Sequence, residues 1–120
     1  MLRITVIDDD PEMGRLLKTL FELEGYQVTS VSRYQEVLPT IEQSAPDVVL
    51  MDVRVQGKET IDLMRQMSQD ENLACIPVIM TSGMDLKEAC LAAGAQAFVL
   101  KPFLPSEMTR TVTELLSEGK

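Results

Sequence analysis

The sequence predicts an α/β fold in which helices cover both faces of a parallel sheet. Two hydrophobic periods alternate along the whole chain of 120 residues. Short apolar runs of strand length are followed by segments whose apolar residues recur every three or four positions. Strands that alternate with helices are joined by right-handed crossovers, which makes the strands parallel. We therefore expect one doubly wound, five-stranded domain over residues 1–120.

The predicted strands are short runs of apolar residues. Runs that lack polar residues at alternate positions are typical of strands buried on both faces of a sheet. Four such runs occur at residues 4–7, 48–51, 78–80 and 98–100. The segment at residues 27–31 is more mixed in polarity, so we expect it to form an edge strand.

The predicted helices each carry an apolar stripe at helical spacing. The stripes are Met13, Leu16, Leu17, Leu20 and Phe21; Tyr34, Val37, Leu38 and Ile41; Ile61, Met64 and Met67; Leu86, Ala89, Cys90 and Ala93; and Met108, Val112, Leu115 and Leu116. Asp10 can cap the first helix, Pro11 fits its first turn and Gly25 can end it. Gly94 can end the fourth. Pro39 lacks an N–H and clashes with a preceding turn, so the second helix should kink or begin late.

Composition excludes several classes of function. The net charge of −8 argues against direct nucleic-acid binding, which needs a basic surface. The absence of histidine excludes histidine bases, histidine metal ligands and a phosphohistidine carrier. Cys75 and Cys90 are too few for a disulfide framework, and we expect both to be buried thiols. No stretch approaches the ~18 apolar residues of a membrane span, and the apolar start runs directly into Asp8. We therefore expect a cytoplasmic protein without a membrane contact.

Polar residues suited to phosphate chemistry follow four of the predicted strands. Ligand sites of parallel sheets lie beyond the carboxyl ends of the strands. The residues at those ends are Asp8, Asp9 and Asp10; Asp52; Thr81 and Ser82; and Lys101. Neighbouring carboxylates repel each other, and a hard divalent cation such as Mg²⁺ with oxygen ligands compensates for this repulsion. Carboxylates, a hydroxyl and an ammonium group together favour a phosphoryl-transfer site, in which a carboxylate can be the nucleophile. For Asp10 the simpler interpretation is a helix cap.

Five motifs in this order resemble the receiver domains of two-component response regulators. They are Val-Ile-Asp-Asp-Asp-Pro at residues 6–11, Val-Leu-Met-Asp-Val-Arg at 49–54, Ile-Pro-Val-Ile-Met-Thr-Ser-Gly at 76–83, Ala-Gly-Ala at 93–95 and Lys-Pro-Phe at 101–103. The resemblance covers the whole chain. It implies a flavodoxin-like (βα)5 fold with strand order 2-1-3-4-5. It also implies a signalling domain that promotes its own phosphorylation and dephosphorylation, rather than an enzyme for a separate substrate.

The resemblance also implies a role for each site residue. The implied roles are phosphoacceptor for Asp52; ligands of Mg²⁺ or Mn²⁺ for Asp8, Asp9, Asp52 and the backbone carbonyl of Arg54; phosphoryl contacts for Ser82 and Lys101; and the switch for Phe98 and Ser82. The bond between Lys101 and Pro102 should be cis. The phosphodonor would be a sensor histidine kinase or a phosphotransfer protein. Phosphorylation would change the face built by the fourth helix, fifth strand and fifth helix, which signals to an output domain or a downstream protein.

Two segments depart from the family pattern. The loop after the acceptor has Gln56 where the family usually has proline, and Thr60 where it usually has a second glycine. We expect this loop to have a different shape. The segment between Ser82 and Lys101 is about one turn shorter than usual, so the fourth helix should be short.

Other functions remain open at this point. A haloacid-dehalogenase-type phosphatase would use Asp8 as nucleophile and Asp10 as acid/base, but Pro11 and the lack of an acidic motif after Lys101 argue against it. A flavin-binding flavodoxin is disfavoured, because three aspartates would repel a flavin phosphate. A receiver-like interaction module that takes no phosphate is the third alternative. The pattern does not identify the kinase, the signal, the output, the oligomeric state or the phosphoryl lifetime, nor whether the chain is part of a longer protein.

Overall fold

A parallel sheet of five strands forms the centre of the fold, with helices on both faces. The computed structural model describes residues 1–118, so the predicted domain end at residue 120 lies outside the described residues. The strands of the main sheet are β1 Arg3–Ile7, β2 Gln27–Val31, β3 Val48–Asp52, β4 Val78–Ser82 and β5 Ala97–Leu100. The helices are α1 Pro11–Leu23, α2 Val37–Ser44, α3 Ile61–Gln69, α4 Lys87–Ala93 and α5 Pro105–Glu118, with a 3₁₀ turn at Tyr34–Glu36.

The strand order is β2-β1-β3-β4-β5, and every neighbouring pair is parallel. This confirms the predicted order 2-1-3-4-5 and the edge position of β2. After β1 the chain crosses one face of the sheet through α1, and after β3 it crosses the opposite face through α3. Strands β1 and β3 are neighbours, with Ile7 opposite Met51. Their carboxyl ends therefore form the topological switch point, where open α/β sheets place their ligand sites.

Two apolar layers cover the two faces of the sheet. Alternate residues of β3 point to opposite faces, so Val48 and Leu50 contact the core under α1 and α5. Val49 and Met51 contact the core under α2, α3 and α4. Each such side chain stabilises the fold by roughly 1.5–3 kcal/mol relative to an exposed one. Burial on both faces explains why β3 is a continuous apolar run in the sequence.

The helix ends follow the predicted signals. The Asp10 side chain accepts hydrogen bonds from the N–H groups of Glu12 and Met13 at the start of α1. Gly25, just after α1, has a φ of 92°, and the C-cap of α4 is Gly94. Helix α2 begins at Val37, so Pro39 lies in its first turn, where a missing N–H breaks no hydrogen bond of the helix. The predicted late start is therefore confirmed.

A short hairpin at residues 54–59 follows β3, and the sequence pattern did not predict it. Arg54 pairs with Glu59 and Val55 with Lys58 across an antiparallel two-residue turn. The turn residues Gln56 and Gly57 have φ values of 53° and 77°. Positive φ at both positions is the requirement of a type I′ hairpin turn. Two-residue strands rich in charge carry no hydrophobic period, which is why the pattern missed them.

The environment of the two cysteines corrects one prediction and confirms the other. Cys90 is buried, whereas Cys75 is exposed, so the prediction of burial was wrong for Cys75. Cys75 lies in a series of turns between α3 and β4, where Leu73 is the side chain that fills the core.

Three further features complete the fold. Helix α4 has seven residues, which confirms the prediction that the fourth helix is short. The peptide bond between Lys101 and Pro102 is cis, as predicted. Within residues 1–118, no helix has both the length and the apolar character that a membrane crossing needs.

Candidate functional site

Four strand ends bring the predicted site residues to one edge of the sheet. Asp8 directly follows β1, Asp52 is the last residue of β3 and Ser82 is the last residue of β4. Lys101 follows β5, and its N–H donates to the Ser82 carbonyl at 2.8 Å. The parallel register thus places acidic, hydroxyl and ammonium groups from four separate segments beside one another.

Lys101 connects two of the carboxylates. Its Nζ lies 2.8 Å from Asp52 Oδ2 and 3.2 Å from Asp8 Oδ2. All three side chains are largely buried, with 22 % of Lys101, 14 % of Asp52 and 4 % of Asp8 exposed. Burial by itself would lower the pKa of Lys101, but its hydrogen bond to Asp52 and the charges of Asp8 and Asp52 outweigh this and raise its pKa. The ammonium group therefore stays charged over the physiological pH range.

Asp8 is the most buried of the site carboxylates. Burial raises its pKa, and the N–H of Asp10 and the charge of Lys101 oppose this rise without cancelling it. Asp8 Oδ1 accepts the Asp10 N–H at 2.9 Å, and its Oδ2 faces Lys101. The folded protein thus holds this carboxylate in a fixed, buried orientation. Burial of its negative charge costs free energy, and a further positive charge nearby would reduce that cost.

Asp8, Asp9 and Asp52 can hold a metal ion together. Each offers a carboxylate oxygen, and the three oxygens lie within 4.8 Å of one another. Hard cations such as Mg²⁺ and Mn²⁺ bind carboxylate oxygens, and Mg²⁺ needs only one or two of them besides water and phosphate. The set of donors therefore fits such an ion. The backbone of Arg54 lies beside them, since its N–H donates to Asp52 Oδ1 at 3.4 Å.

The main chain around Asp52 is held by Thr60, which the sequence marked only as a departure from the family pattern. The Thr60 hydroxyl donates to the Asp52 carbonyl at 2.7 Å, and the Thr60 N–H donates to the Val53 carbonyl at 2.7 Å. Thr60 is completely buried. Its hydroxyl therefore has a structural role that a glycine could not supply.

Asp9 has a different environment from Asp8. It is exposed, and its Oδ2 accepts a hydrogen bond from the Gln56 N–H at 2.7 Å. The Gln56 side chain in turn accepts the Tyr34 N–H at 2.8 Å. Sequence reasoning did not assign Gln56 to the site; the signal that could have found it was the glutamine at a position where the family usually has proline.

Ser82 and Phe98 lie on the same face of the sheet. Ser82 Oγ accepts the Met84 N–H at 3.0 Å. Phe98 is opposite Met80 in the register, two residues before Ser82 along β4, and packs against the core beneath α2, α3 and α4. Thr81, by contrast, points into the opposite face and is buried.

A doubly wound parallel sheet with this acidic edge is the arrangement expected of a receiver-type signalling domain. The family model of the response regulator receiver domain matches residues 4–113. The chain therefore belongs to the response regulator receiver domain family.

Curated relatives of the chain are regulators of about twice its length. It is 31 % identical over 121 residues to the DNA-binding response regulator MtrA of Mycolicibacterium smegmatis, covering 98 % of this chain and 52 % of the relative. It is 29 % identical to the transcriptional regulatory protein BaeR of Escherichia coli, covering 98 % and 49 %. The chain thus spans about half the length of the curated relatives it matches.

Solved receiver structures share the fold over nearly the whole chain. A CheY-like response regulator receiver domain protein from Methanospirillum hungatei is 28 % identical with a TM-score of 0.90, covering 99 % of this chain and 96 % of that one. The receiver domain of the sensor histidine kinase PA1611 from Pseudomonas aeruginosa is 25 % identical with a TM-score of 0.86, covering 97 % and 98 %. That structure has a magnesium ion coordinated in its active site cleft.

Proposed function

We propose that this receiver domain accepts a phosphoryl group on Asp52. The observation that supports this most directly is the contact of 2.8 Å between Asp52 Oδ2 and the Lys101 ammonium group. A buried cation beside a strand-end carboxylate can stabilise the charge that develops on a transferred phosphoryl group. Among the three clustered carboxylates, Asp52 is the one at the end of the central strand β3.

The residues that would hold Mg²⁺, or Mn²⁺ in its place, are Asp8, Asp9, Asp52 and the backbone carbonyl of Arg54. The carboxylate cluster within 4.8 Å supports this proposal. When bound, the ion supplies positive charge that offsets the phosphoryl oxygens and the neighbouring carboxylates. Lys101 adds a second positive charge that belongs to the protein itself.

In the proposed transfer, a carboxylate oxygen of Asp52 forms a bond to phosphorus. The bond between phosphorus and the donor atom breaks, and the leaving group keeps the electron pair. The product is an aspartyl phosphate. Lys101 pairs with one phosphoryl oxygen, and the Ser82 hydroxyl donates a hydrogen bond to another. Later attack by water on phosphorus would restore the Asp52 carboxylate and release phosphate.

The proposed switch begins at Ser82. Its hydroxyl now accepts the Met84 N–H, and a phosphoryl group on Asp52 would draw it toward the acceptor. Ser82 and Phe98 lie on one face of the sheet, so this movement changes the space around the half-buried Phe98 ring. The face of α4, β5 and α5 would then change its conformation, as a local charge event biases an element with two states.

The proposed partners follow from the family. The phosphodonor is a sensor histidine kinase or a phosphotransfer protein, which places the domain in the cytoplasm. The recipient of the signal is an output domain or a downstream protein. Direct nucleic-acid binding by this domain is not part of the proposal, because its net charge of −8 would repel the phosphate backbone.

The proposal is tested by the intact mass of the protein after incubation with a small phosphodonor and Mg²⁺. We expect one added phosphoryl group in the wild type, and none in Asp52→Asn or in the presence of a chelator. Asp8→Asn serves as the comparison for a phosphatase of the haloacid-dehalogenase type. Loss of the adduct only in Asp8→Asn would favour that reaction. No adduct in the wild type, together with no binding of beryllium fluoride, would favour a phosphate-independent interaction module.

A further inference from the structure

We propose that Gln56 is a positioning residue that orients Asp9 for cation binding. Two short hydrogen bonds meet at this residue: its N–H donates to Asp9 Oδ2 at 2.7 Å, and its side-chain Oε1 accepts the Tyr34 N–H at 2.8 Å. Gln56 thus connects a carboxylate of the acidic cluster to the turn that precedes α2. This inference rests on the proposed function, since it concerns the same cation.

The contact requires a residue that has a backbone N–H at position 56. Proline at this position would have no N–H and could not make this hydrogen bond. Nor could proline adopt the φ of 53° that Gln56 has in the hairpin turn. A residue other than proline at position 56 therefore supplies the donor directed at Asp9.

The backbone conformation of Gln56 is uncommon for a residue that has a side chain. Positive φ is a strained conformation for glutamine, and such strain persists where surrounding contacts determine it. Here the contacts are the hydrogen bond to Tyr34 and the interaction of Lys58 Nζ with the Tyr34 ring, 5.1 Å from its centre. Both contacts join the hairpin to Tyr34. The hairpin is therefore anchored on one side, and its turn presents the N–H to Asp9.

Asp9 needs this support more than the other two carboxylates do. Asp8 and Asp52 are largely buried and contact Lys101, whereas Asp9 is exposed and has no ion pair among residues 1–118. In the orientation that the Gln56 N–H holds, an Asp9 oxygen lies within the 4.8 Å cluster. Hydrogen-bond partners of metal-binding carboxylates fix their orientation and raise the affinity for the ion.

The test measures Mn²⁺ affinity by electron paramagnetic resonance, with thermal unfolding in chelator as the readout of folding. Gln56→Asn keeps the backbone N–H and a side-chain amide, and asparagine tolerates positive φ. Its side chain is one methylene shorter, however, and does not reach Tyr34. We expect its Mn²⁺ affinity to fall about tenfold, the low end for partners of metal ligands, while the metal-free protein still unfolds cooperatively. Gln56→Glu keeps an acceptor at the same reach and should bind Mn²⁺ at least as tightly as the wild type. Gln43→Asn, an exposed change on α2, is the matched control.

Each outcome of the experiment separates this inference from the proposed function. Equal Mn²⁺ affinity in the wild type and Gln56→Asn would overturn the role of the Gln56 side-chain anchor but not the proposed function, and no Mn²⁺ binding in the wild type would overturn both. Gln56→Gly, which adopts positive φ without strain, replaces Gln56→Asn if the latter does not fold. Amide hydrogen exchange of the wild type tests the contact directly, because the Gln56 amide should exchange more slowly than an amide without a partner. Exchange at the rate of an exposed loop would overturn the inference.

Discussion

Lys101 is the residue that allows two carboxylates to lie together at the end of the sheet. Its ammonium group contacts Asp8 and Asp52 at once, so one positive charge offsets part of the repulsion between them. The offset is incomplete for Asp8, because burial still raises the pKa of that carboxyl group. The metal-free site therefore carries excess negative charge at neutral pH, which is the condition a divalent cation relieves.

Asp8→Asn should stabilise the metal-free protein at neutral pH, because the folded state favours a neutral group at this position. The folded-state pKa of Asp8 lies above the ordinary value of 3.8. The wild type therefore gains stability as the pH falls through that folded-state pKa, and the gain is complete below 3.8. The variant shows no such gain from residue 8. Urea midpoints measured in chelator should differ most near neutral pH and converge toward acid.

Glu22→Gln, an exposed change on α1, is the control for the general loss of a carboxylate. It should leave the urea midpoint nearly unchanged at every pH. A difference between Asp8→Asn and wild type that grew as the pH fell would contradict the account of Asp8.

Glycines at two helices illustrate how the same residue type has different roles in different elements. Gly94 ends α4 with a φ of 116°, and a Cβ there would lie 2.7 Å from Ser68 Cβ on α3. Gly14 lies inside α1, where a Cβ would have no other atom within 4 Å apart from neighbouring backbone. The first glycine is required by backbone conformation and by the close approach of two helices, whereas the second is not.

Gly94→Ala should destabilise the protein by roughly 2–4 kcal/mol, because strain at positive φ adds to the clash with Ser68. Gly14→Ala is the matched variant and should stabilise it by roughly 0.5–1 kcal/mol, because alanine favours a helix interior. Urea unfolding with a common m-value measures both. Similar effects of the two substitutions would show that α3 and α4 are not packed as the structure has them.

At the scale of the whole molecule, the residues that stabilise the fold and the residues of the candidate site lie in different parts of the sheet. Its two faces are covered by apolar layers that hold α1 and α5 on one side and α2, α3 and α4 on the other. The polar groups of the site lie at one edge, where four strands end. A cation at that edge would bind only the folded chain, because the carboxylates come from segments far apart in the sequence.

Millimolar Mg²⁺ should therefore raise the melting temperature of the wild type, since a ligand that binds only the folded state stabilises it. The rise should be largely lost in Asp9→Asn, which removes an exposed, proposed ligand with little effect on the core. Sodium chloride at matched ionic strength is the control, because the net charge of −8 makes general screening stabilising. An equal rise with both salts would argue against a specific cation site.

The sequence by itself determined the strands of the main sheet, the helices and most residues of the candidate site. The periods of hydrophobicity identified the five strands of the main sheet and the five helices, because burial on one or two faces leaves a local pattern. Capping residues such as Asp10 and Gly94 located helix ends for the same local reason. The strand-end residues Asp8, Asp52 and Lys101 could be named in advance, because parallel strands bring their carboxyl ends to one edge.

Only the tertiary structure decided which of these groups contact one another. The hydrogen bond from Gln56 to Asp9 joins residues 47 positions apart, and the hairpin that makes it has no hydrophobic period. The exposure of Cys75 likewise depends on which residue of its turn, Leu73 rather than Cys75, faces the core. A local pattern records which face of an element is buried. The partner of a polar group is set by the packing of distant segments, and that information exists only once the chain is folded.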